Sequence, residues 1–245
     1  MPTRSLADQV HAGFPGAVPA AAFVGDWHRA CTEQGFARGN CLLVAAVCRD
    51  ELCLPFVEGL EAAWGAAFHA GSLGGLLTLG RTGMAAAGDH APDDPEQPRR
   101  IVAFGAAHVG MGEGGAFGLL RREHQFHSSR TCGALMGFRE ELLAGRLRLG
   151  YDPADPEMSL LRQRIFTALS YGDLPDEVGM TKVVARVIDE DLRELLDGFI
   201  ADLGDRPVVA SVRTGVLIHT SAGDWFWQHD PRVRLHGGAG FPDAE

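Results

Sequence analysis

The sequence predicts an α/β fold built on a doubly wound, mostly parallel sheet with helices on both faces, in a single domain covering residues 1–245. Two uninterrupted apolar runs, residues 41–47 and 101–107, are typical of strands buried on both faces. Segments with helical periodicity separate such runs, and the chain has no internal repeat and no recognisable linker. Sheets of this kind bind ligands at the carboxyl ends of their strands.

The first elements follow from the spacing of apolar residues. Apolar side chains at helical spacing predict a helix over 20–31, and Pro19 suits its first position. The apolar run at 41–47 then predicts a strand, after which polar residues appear abruptly. Helical periodicity over 54–68 predicts a helix that returns across the sheet.

The remaining elements continue the alternation. A glycine-dense stretch over 72–83 predicts a second strand that runs into a tight loop, and the run at 101–107 predicts a third strand ending at His108. Helical periodicity and a late apolar run predict three further helices and one more strand, at 132–147, 160–170, 181–203 and 207–221 respectively.

The composition excludes several functional classes. The chain carries 22 Lys and Arg against 32 Asp and Glu, and this net charge of -10 opposes binding to nucleic acids or anionic membranes. It has no apolar segment of about 20 residues and no signal-peptide pattern, so a cytoplasmic location is expected. Five cysteines, an odd number, do not indicate a disulfide framework and favour metal or catalytic roles for some of them.

Three of the potential metal ligands occupy positions from which they could meet. Cys48 and His108 each follow an apolar strand at its carboxyl end, and Cys132 is predicted at a helix N-terminus, where the helix dipole favours a thiolate. Two thiolates and one imidazole suit Zn2+, and three protein ligands leave a fourth position for water, as in catalytic sites. On the residues alone, the alternative is that all three are core side chains, since widely spaced ligands lack a short CxxC pattern.

Asp50 is the predicted neighbour of this site. Residues two apart on an extended segment share a face, so Asp50 should point to the same side as Cys48, and Arg49 should point away. Arg81, in the predicted loop after the second strand, is the candidate cation that restrains the Asp50 carboxylate. The alternative is that Asp50 caps the following helix and that Arg81 is solvated.

Several short motifs resemble a known family. They are FPGAV at 14–18, VCRDEL at 47–52, GRTGMAAAGDH at 80–90, AHVG at 107–110 and TCGAL at 131–135. In this order they resemble the limiting-CO2-inducible B (LCIB-like) family, which is grouped with the theta-type and beta-like carbonic anhydrases. The C-terminal third resembles the family only loosely.

This resemblance implies a Rossmann-like fold like that of the beta carbonic anhydrases, a homodimer, and zinc held by Cys48, His108 and Cys132. It also implies a catalytic Asp–Arg pair, for which Asp50 and Arg81 are the expected members. The beta enzymes place this Arg shortly after the Asp, where this chain has Glu51 and Leu52.

The predicted function is therefore reversible hydration of CO2 to bicarbonate by a zinc enzyme. One alternative is a catalytically silent zinc-binding homologue that acts as a partner in inorganic-carbon handling. Another is a hydrolase with Cys48 as nucleophile, assisted by His108 and Asp50. His90 is a further candidate, as a proton shuttle or simply as the end of a helix.

Overall fold

The computed structural model describes residues 4–169, 174–202, 207–230 and 234–237. Within them lie the helices α1 (Leu6–Gly13), α2 (Ala20–Glu33), α3 (Leu54–Trp64), α4 (Gly80–Asp89), α5 (Gly133–Leu143), α6 (Pro156–Ala168) and α7 (Glu177–Asp202). The strands are β1 (Val18–Pro19), β2 (Cys41–Ala46), β3 (Ala67–His69), β4 (Arg99–Gly110), β5 (Leu119–Leu120), β6 (Ser129–Arg130), β7 (Val208–Thr220), β8 (Gly223–Gln228) and β9 (Arg234–Gly237).

Seven of these strands form one sheet. Its order is β1-β8-β7-β4-β2-β3, and β9 also pairs with β7. The pairs β2–β3, β2–β4 and β4–β7 are parallel, whereas β8, β1 and β9 add antiparallel pairs at one side. The predicted mostly parallel α/β fold is confirmed, and β8, β9 and the short β1 add the antiparallel part.

Helices cover both faces of the sheet because alternate residues of its central strands point in opposite directions. On one face Phe104 of β4 contacts the ring of Phe56 in α3, with 4.8 Å between ring centroids, and Phe23 of α2 packs nearby. On the other face, Ile101 and Ala103 belong to a second apolar cluster with residues of α4 and α7. Burial on both faces explains the continuous apolar runs.

A glycine turn lies over the carboxyl half of β4. Gly74 and Gly75 adopt positive φ angles of 69° and 85° in a short 3-10 helix, Leu73–Gly75. A Cβ at Gly75 would lie 2.3 Å from the carbonyl oxygen of Ala106, so only glycine lets this turn approach the strand. The turn thereby brings the backbone N–H of Gly74 close to the residues that follow β2.

The strand predicted over 72–83 is wrong. Positive φ angles at its two glycines are incompatible with an extended strand, and helix α4 begins at Gly80. The helix predicted over 54–68 ends earlier, at Trp64, because Gly65 leaves the helix with φ 106°, and β3 follows as an edge strand.

The other predicted elements agree with the structure to within a few residues. Strand β4 continues through His108 to Gly110, so His108 lies inside the strand, near its carboxyl end. Ser170 and Leu203, at the ends of two predicted helices, lie outside the described residues. None of the described helices combines the length and apolar character needed to cross a membrane.

Candidate metal centre

Cys48, His108 and Cys132 meet at the carboxyl edge of the parallel strands. Cys48 lies two residues after β2, His108 lies in the neighbouring strand β4, and Cys132 is the N-cap residue of α5. One potential ligand atom from each lies within 4.8 Å of the other two. All three are buried, with exposed fractions of 6%, 1% and 1%. The structure therefore brings together the three residues that the sequence suggested as ligands.

The donor atoms fit a tetrahedral ion. The Sγ atoms of Cys48 and Cys132 are 3.7 Å apart. Two thiolates bound tetrahedrally to zinc at about 2.3 Å each would be separated by about 3.8 Å. Both ring nitrogens of His108 are buried and have no hydrogen-bond partner among the described residues. A buried imidazole without partners costs free energy, and a bound ion would satisfy one of its nitrogens.

The surroundings of Cys48 favour a thiolate. Its Sγ accepts a hydrogen bond from the backbone N–H of Gly74 at 3.3 Å. The hydrogen bond with the Cys132 thiol, together with His108, outweighs burial and lowers the pKa of Cys48 to about 4. The same thiol pair, together with burial, raises the pKa of Cys132. The two sulfurs are close enough to share one proton, and a divalent cation bound by both would displace it.

The start of α5 faces the second sulfur. The backbone N–H groups of Ala134 and Leu135 interact with the Cys132 side chain and partly offset the rise in its pKa. Cys132 is the N-cap of this helix, so its sulfur lies at the positive end of the helix dipole. The predicted position of Cys132 at a helix N-terminus agrees with the structure.

Asp50 lies beside the three residues and is held in place by two hydrogen bonds. Its Oδ1 accepts from the backbone N–H of Leu52 at 3.2 Å, and its Oδ2 accepts from Nη2 of Arg122 at 2.7 Å. The same Oδ2 is 4.0 Å from Nε2 of His108. The carboxylate is thus next to the candidate ligands and at the same time the N-cap of a short 3-10 helix.

Arg122 is the cation that restrains Asp50. Its Nε donates to Oε1 of Glu51 at 2.6 Å, and its Nη1 donates to Oγ of Ser129 and to the carbonyl of Arg130. The guanidinium therefore bridges the segment after β2 and the strand β6 that precedes Cys132. Burial opposes its charge, but the hydrogen bonds with Asp50 and Glu51 keep the pKa of Arg122 above its ordinary value.

Arg81 does not take this position, which corrects the expected pairing with Asp50. It belongs to α4 and lines a cavity with Arg99, the first residue of β4. Arg99 is nine residues before His108 in β4, and at about 3.3 Å per residue these two residues are about 30 Å apart. The error came from the glycine-rich stretch, because reading it as a strand placed Arg81 at the carboxyl edge of the sheet.

Arg49 points away from Asp50, as its alternation with Cys48 predicted. It donates to Glu157 of α6, with 2.6 Å between Nη2 and Oε1. The other oxygen of Glu157 accepts from the backbone N–H of Leu73, at 3.1 Å. Through this contact α6 anchors the glycine turn that donates to Cys48.

One signal for Arg122 was present in the sequence. Arg121 and Arg122 are adjacent, and they lie between His108 and Cys132, so the loop that carries them must start and end at the site. His90 caps the end of α4 and lines a cavity with Cys41, at the amino end of β2, away from the candidate centre.

Comparisons with known proteins agree on the family and the fold. The family model described as limiting CO2-inducible proteins B/C beta carbonic anhydrases matches residues 17–234, which include the whole candidate centre. A crystal structure of PtLCIB4, a homolog of the limiting CO2-inducible protein LCIB, is similar with a TM-score of 0.80 at 22% identity, covering 94% of this chain and 95% of that one. The crystal structure of LCIB has a TM-score of 0.72 at 26% identity, covering 91% and 92%. A search of curated proteins found no match.

The Arg49–Glu157 ion pair should make a pH-dependent contribution to stability. Hydrogen bonds from Arg49 lower the pKa of Glu157 below its ordinary 4.5. The contribution should therefore be complete above that pH and be lost as the pH falls through the lowered pKa. We expect Glu157→Gln to reduce the free energy of unfolding by about 0.5–1 kcal/mol at pH 7 and to have little effect at strongly acidic pH.

Urea unfolding of both proteins at the two pH values measures this difference. Glu58→Gln is a matched control, because Glu58 is exposed on α3. An equal loss at both pH values would assign the effect of the Glu157 substitution to packing and not to charge.

Proposed function

Because the chain belongs to the family of limiting CO2-inducible B/C proteins and beta carbonic anhydrases, we propose that it is a zinc-dependent carbonic anhydrase that interconverts CO2 and bicarbonate. The observation that carries the proposal is the combination of two thiols and an imidazole at ligand distance with an Asp–Arg pair beside them. The donor set suits zinc, and three protein donors leave one position for water or substrate.

Cys48, His108 and Cys132 would hold the ion. When bound in an open site, zinc supplies hydroxide as a nucleophile near neutral pH. The burial of all three residues excludes bulk water from the centre, which strengthens the electrostatic interactions there. The N–H of Gly74 and the start of α5 stabilise the negative charge of the two sulfurs.

Asp50 would orient the reacting oxygen. Its Oδ2 lies 4.0 Å from Nε2 of His108. The carboxylate accepts hydrogen bonds only from Leu52 and Arg122 in the described part of the chain. Its remaining lone pairs are free to accept the hydrogen of the nucleophile, which aims the oxygen lone pair at the carbon of CO2. Arg122 holds the carboxylate so that it does not itself occupy the open position.

Metal analysis tests the ligand set. We expect the purified chain to contain at least one equivalent of zinc and to hydrate CO2 in a stopped-flow pH-indicator assay. Cys132→Ala should lose one equivalent of zinc and most of the activity, because a thiolate is removed from the ligand set. Cys41→Ala is the matched control, since Cys41 is also a buried thiol but lies at the amino end of β2.

A wild-type chain without zinc would overturn the proposal. Zinc without CO2 hydration would identify a silent homologue. Metal-free activity that iodoacetamide abolishes would instead indicate a hydrolase with a cysteine nucleophile.

The Asp50–Arg122 pair provides a second test. We expect Asp50→Ala and Arg122→Ala to retain zinc but to lower kcat for hydration by about 10- to 100-fold, the effect typical of residues that orient a metal site. Arg81→Ala is the matched control and should retain wild-type kcat, because Arg81 lies at the other edge of the sheet. Full activity in Asp50→Ala would remove this carboxylate from the mechanism.

We further propose that the chain works as a homodimer, as the family resemblance implies. Phe126 is 95% exposed and Leu119 is 45% exposed, and both flank Arg122 in the segment between His108 and Cys132. Large exposed apolar side chains beside a functional loop favour a protein contact. A second copy seated there would shield the Asp50–Arg122 pair from water.

Light scattering tests the dimer. Phe126→Ser should shift the protein toward the monomer at concentrations where the wild type is dimeric, because the contact loses apolar area. Phe166→Ser, which removes an exposed phenylalanine from α6, should leave the dimer unchanged. A monomeric wild type would exclude the dimer.

A further inference from the structure

A second group of metal-binding side chains adjoins the candidate centre. Cys53, His108 and His219 each offer one ligand atom, and these atoms lie within 4.8 Å of one another. Cys53 ends the short 3-10 helix Glu51–Cys53, and His219 lies in β7 opposite Gly110 of β4. All three side chains are buried. The group shares His108 with the first centre but draws its other members from different elements.

His219 is oriented as metal-binding histidines usually are. Its Nδ1 is 2.9 Å from Oδ1 of Asp224, which faces it across the β7–β8 hairpin. A carboxylate accepts hydrogen bonds, so Nδ1 carries the proton and Nε2 keeps a free lone pair. That Nε2 is 3.9 Å from Sγ of Cys53. Histidines that bind metals typically have such a carboxylate, which fixes the tautomer and the orientation of the ring.

His108 adds an independent observation. Its ring packs edge-on against the ring of His219, with 5.3 Å between centroids. Neither of its nitrogens has a hydrogen-bond partner among the described residues. Histidine ligands usually donate their second N–H to a carboxylate or a carbonyl, and His108 lacks such an acceptor. An ion in the first centre would therefore satisfy only one of the two buried nitrogens.

We propose that Cys53, His108 and His219 form a second metal site that takes a zinc-like divalent cation, with Asp224 as the positioning residue for His219. One thiolate and two imidazoles are ligands that zinc and cobalt both accept. Binding displaces the proton of the Cys53 thiol to solvent. When the first centre is also filled, the remaining ring proton of His108 leaves to solvent as well, and the imidazole then binds one ion through each nitrogen. Asp224 lies in the β7–β8 hairpin and is partly exposed, so the hairpin is the short route from the surface to this group.

Co2+ titration of a variant without the first site tests this inference independently of catalysis. Cys48→Ala/Cys132→Ala removes both thiolates of the proposed zinc centre. The remaining chain should bind about one equivalent of Co2+ with the near-ultraviolet charge-transfer band of a single thiolate. Adding Cys53→Ser should abolish that band. Adding Cys41→Ser, which removes another buried thiol, should leave it intact.

The affinity for Co2+ tests the role of Asp224 separately. In the same background Asp224→Asn should weaken Co2+ binding by about 10-fold or more while preserving the band, since the ligands remain but the orientation of His219 is lost. A band that persists without Cys53, or a folded double variant that binds no Co2+, would overturn the second site. That result would leave the proposed function standing, because the zinc of the first centre and the hydration rate are measured separately.

If circular dichroism shows that the double variant is unfolded, a milder pair replaces it. Cys132→Ala is then compared with Cys132→Ala/His219→Ala. Loss of His219 should weaken Co2+ binding by about 10-fold or more, because it removes an imidazole ligand of the second site. Equal affinity of the two variants would overturn the proposal.

Discussion

The parallel pairing of β2 with β4 and of β4 with β7 is the constraint on which the rest of the structure depends. Its register places Ala46 opposite Gly105 and His108 opposite Leu217. Neighbouring strands are about 4.8 Å apart, so side chains near their carboxyl ends are close enough to share an ion. A slip of one residue between β2 and β4 would turn His108 to the other face and separate it from Cys48. Phe104 and Ile101 of β4 pack into different apolar clusters on the two faces, so a slip would disrupt the close packing of both.

Much of this arrangement could be predicted from the sequence. The apolar runs of β2 and β4 identified buried parallel strands, and the rule that such strands end at a common edge brought Cys48 and His108 together. Helical periodicity after Cys132 placed it at the start of α5. These predictions depend on local pattern and on general topology, which a single sequence contains.

The partner of Asp50 could not be predicted in the same way. Arg122 reaches Asp50 across 72 residues of sequence from an irregular loop, and no periodicity encodes the path of such a loop. The strand predicted over 72–83 was wrong for a related reason, which concerns Gly74 and Gly75. Their positive φ angles follow from the close approach of the turn to β4, which is a tertiary contact and not a local preference. No local pattern in the sequence brings Cys53 and His219 together, because their proximity depends on the register of β7.

Arg122 contacts four groups at once, namely the carboxylates of Asp50 and Glu51, the hydroxyl of Ser129 and the carbonyl of Arg130. A planar guanidinium offers five N–H donors in a fixed fork, whereas an ammonium offers one nitrogen at the end of a flexible stem. This position therefore requires a planar side chain with several donors as well as a positive charge. A lysine would keep the positive charge beside Asp50 but would lose most of the four hydrogen bonds. In this chain a single side chain acts as the template on which the segments before α3 and before α5 are aligned.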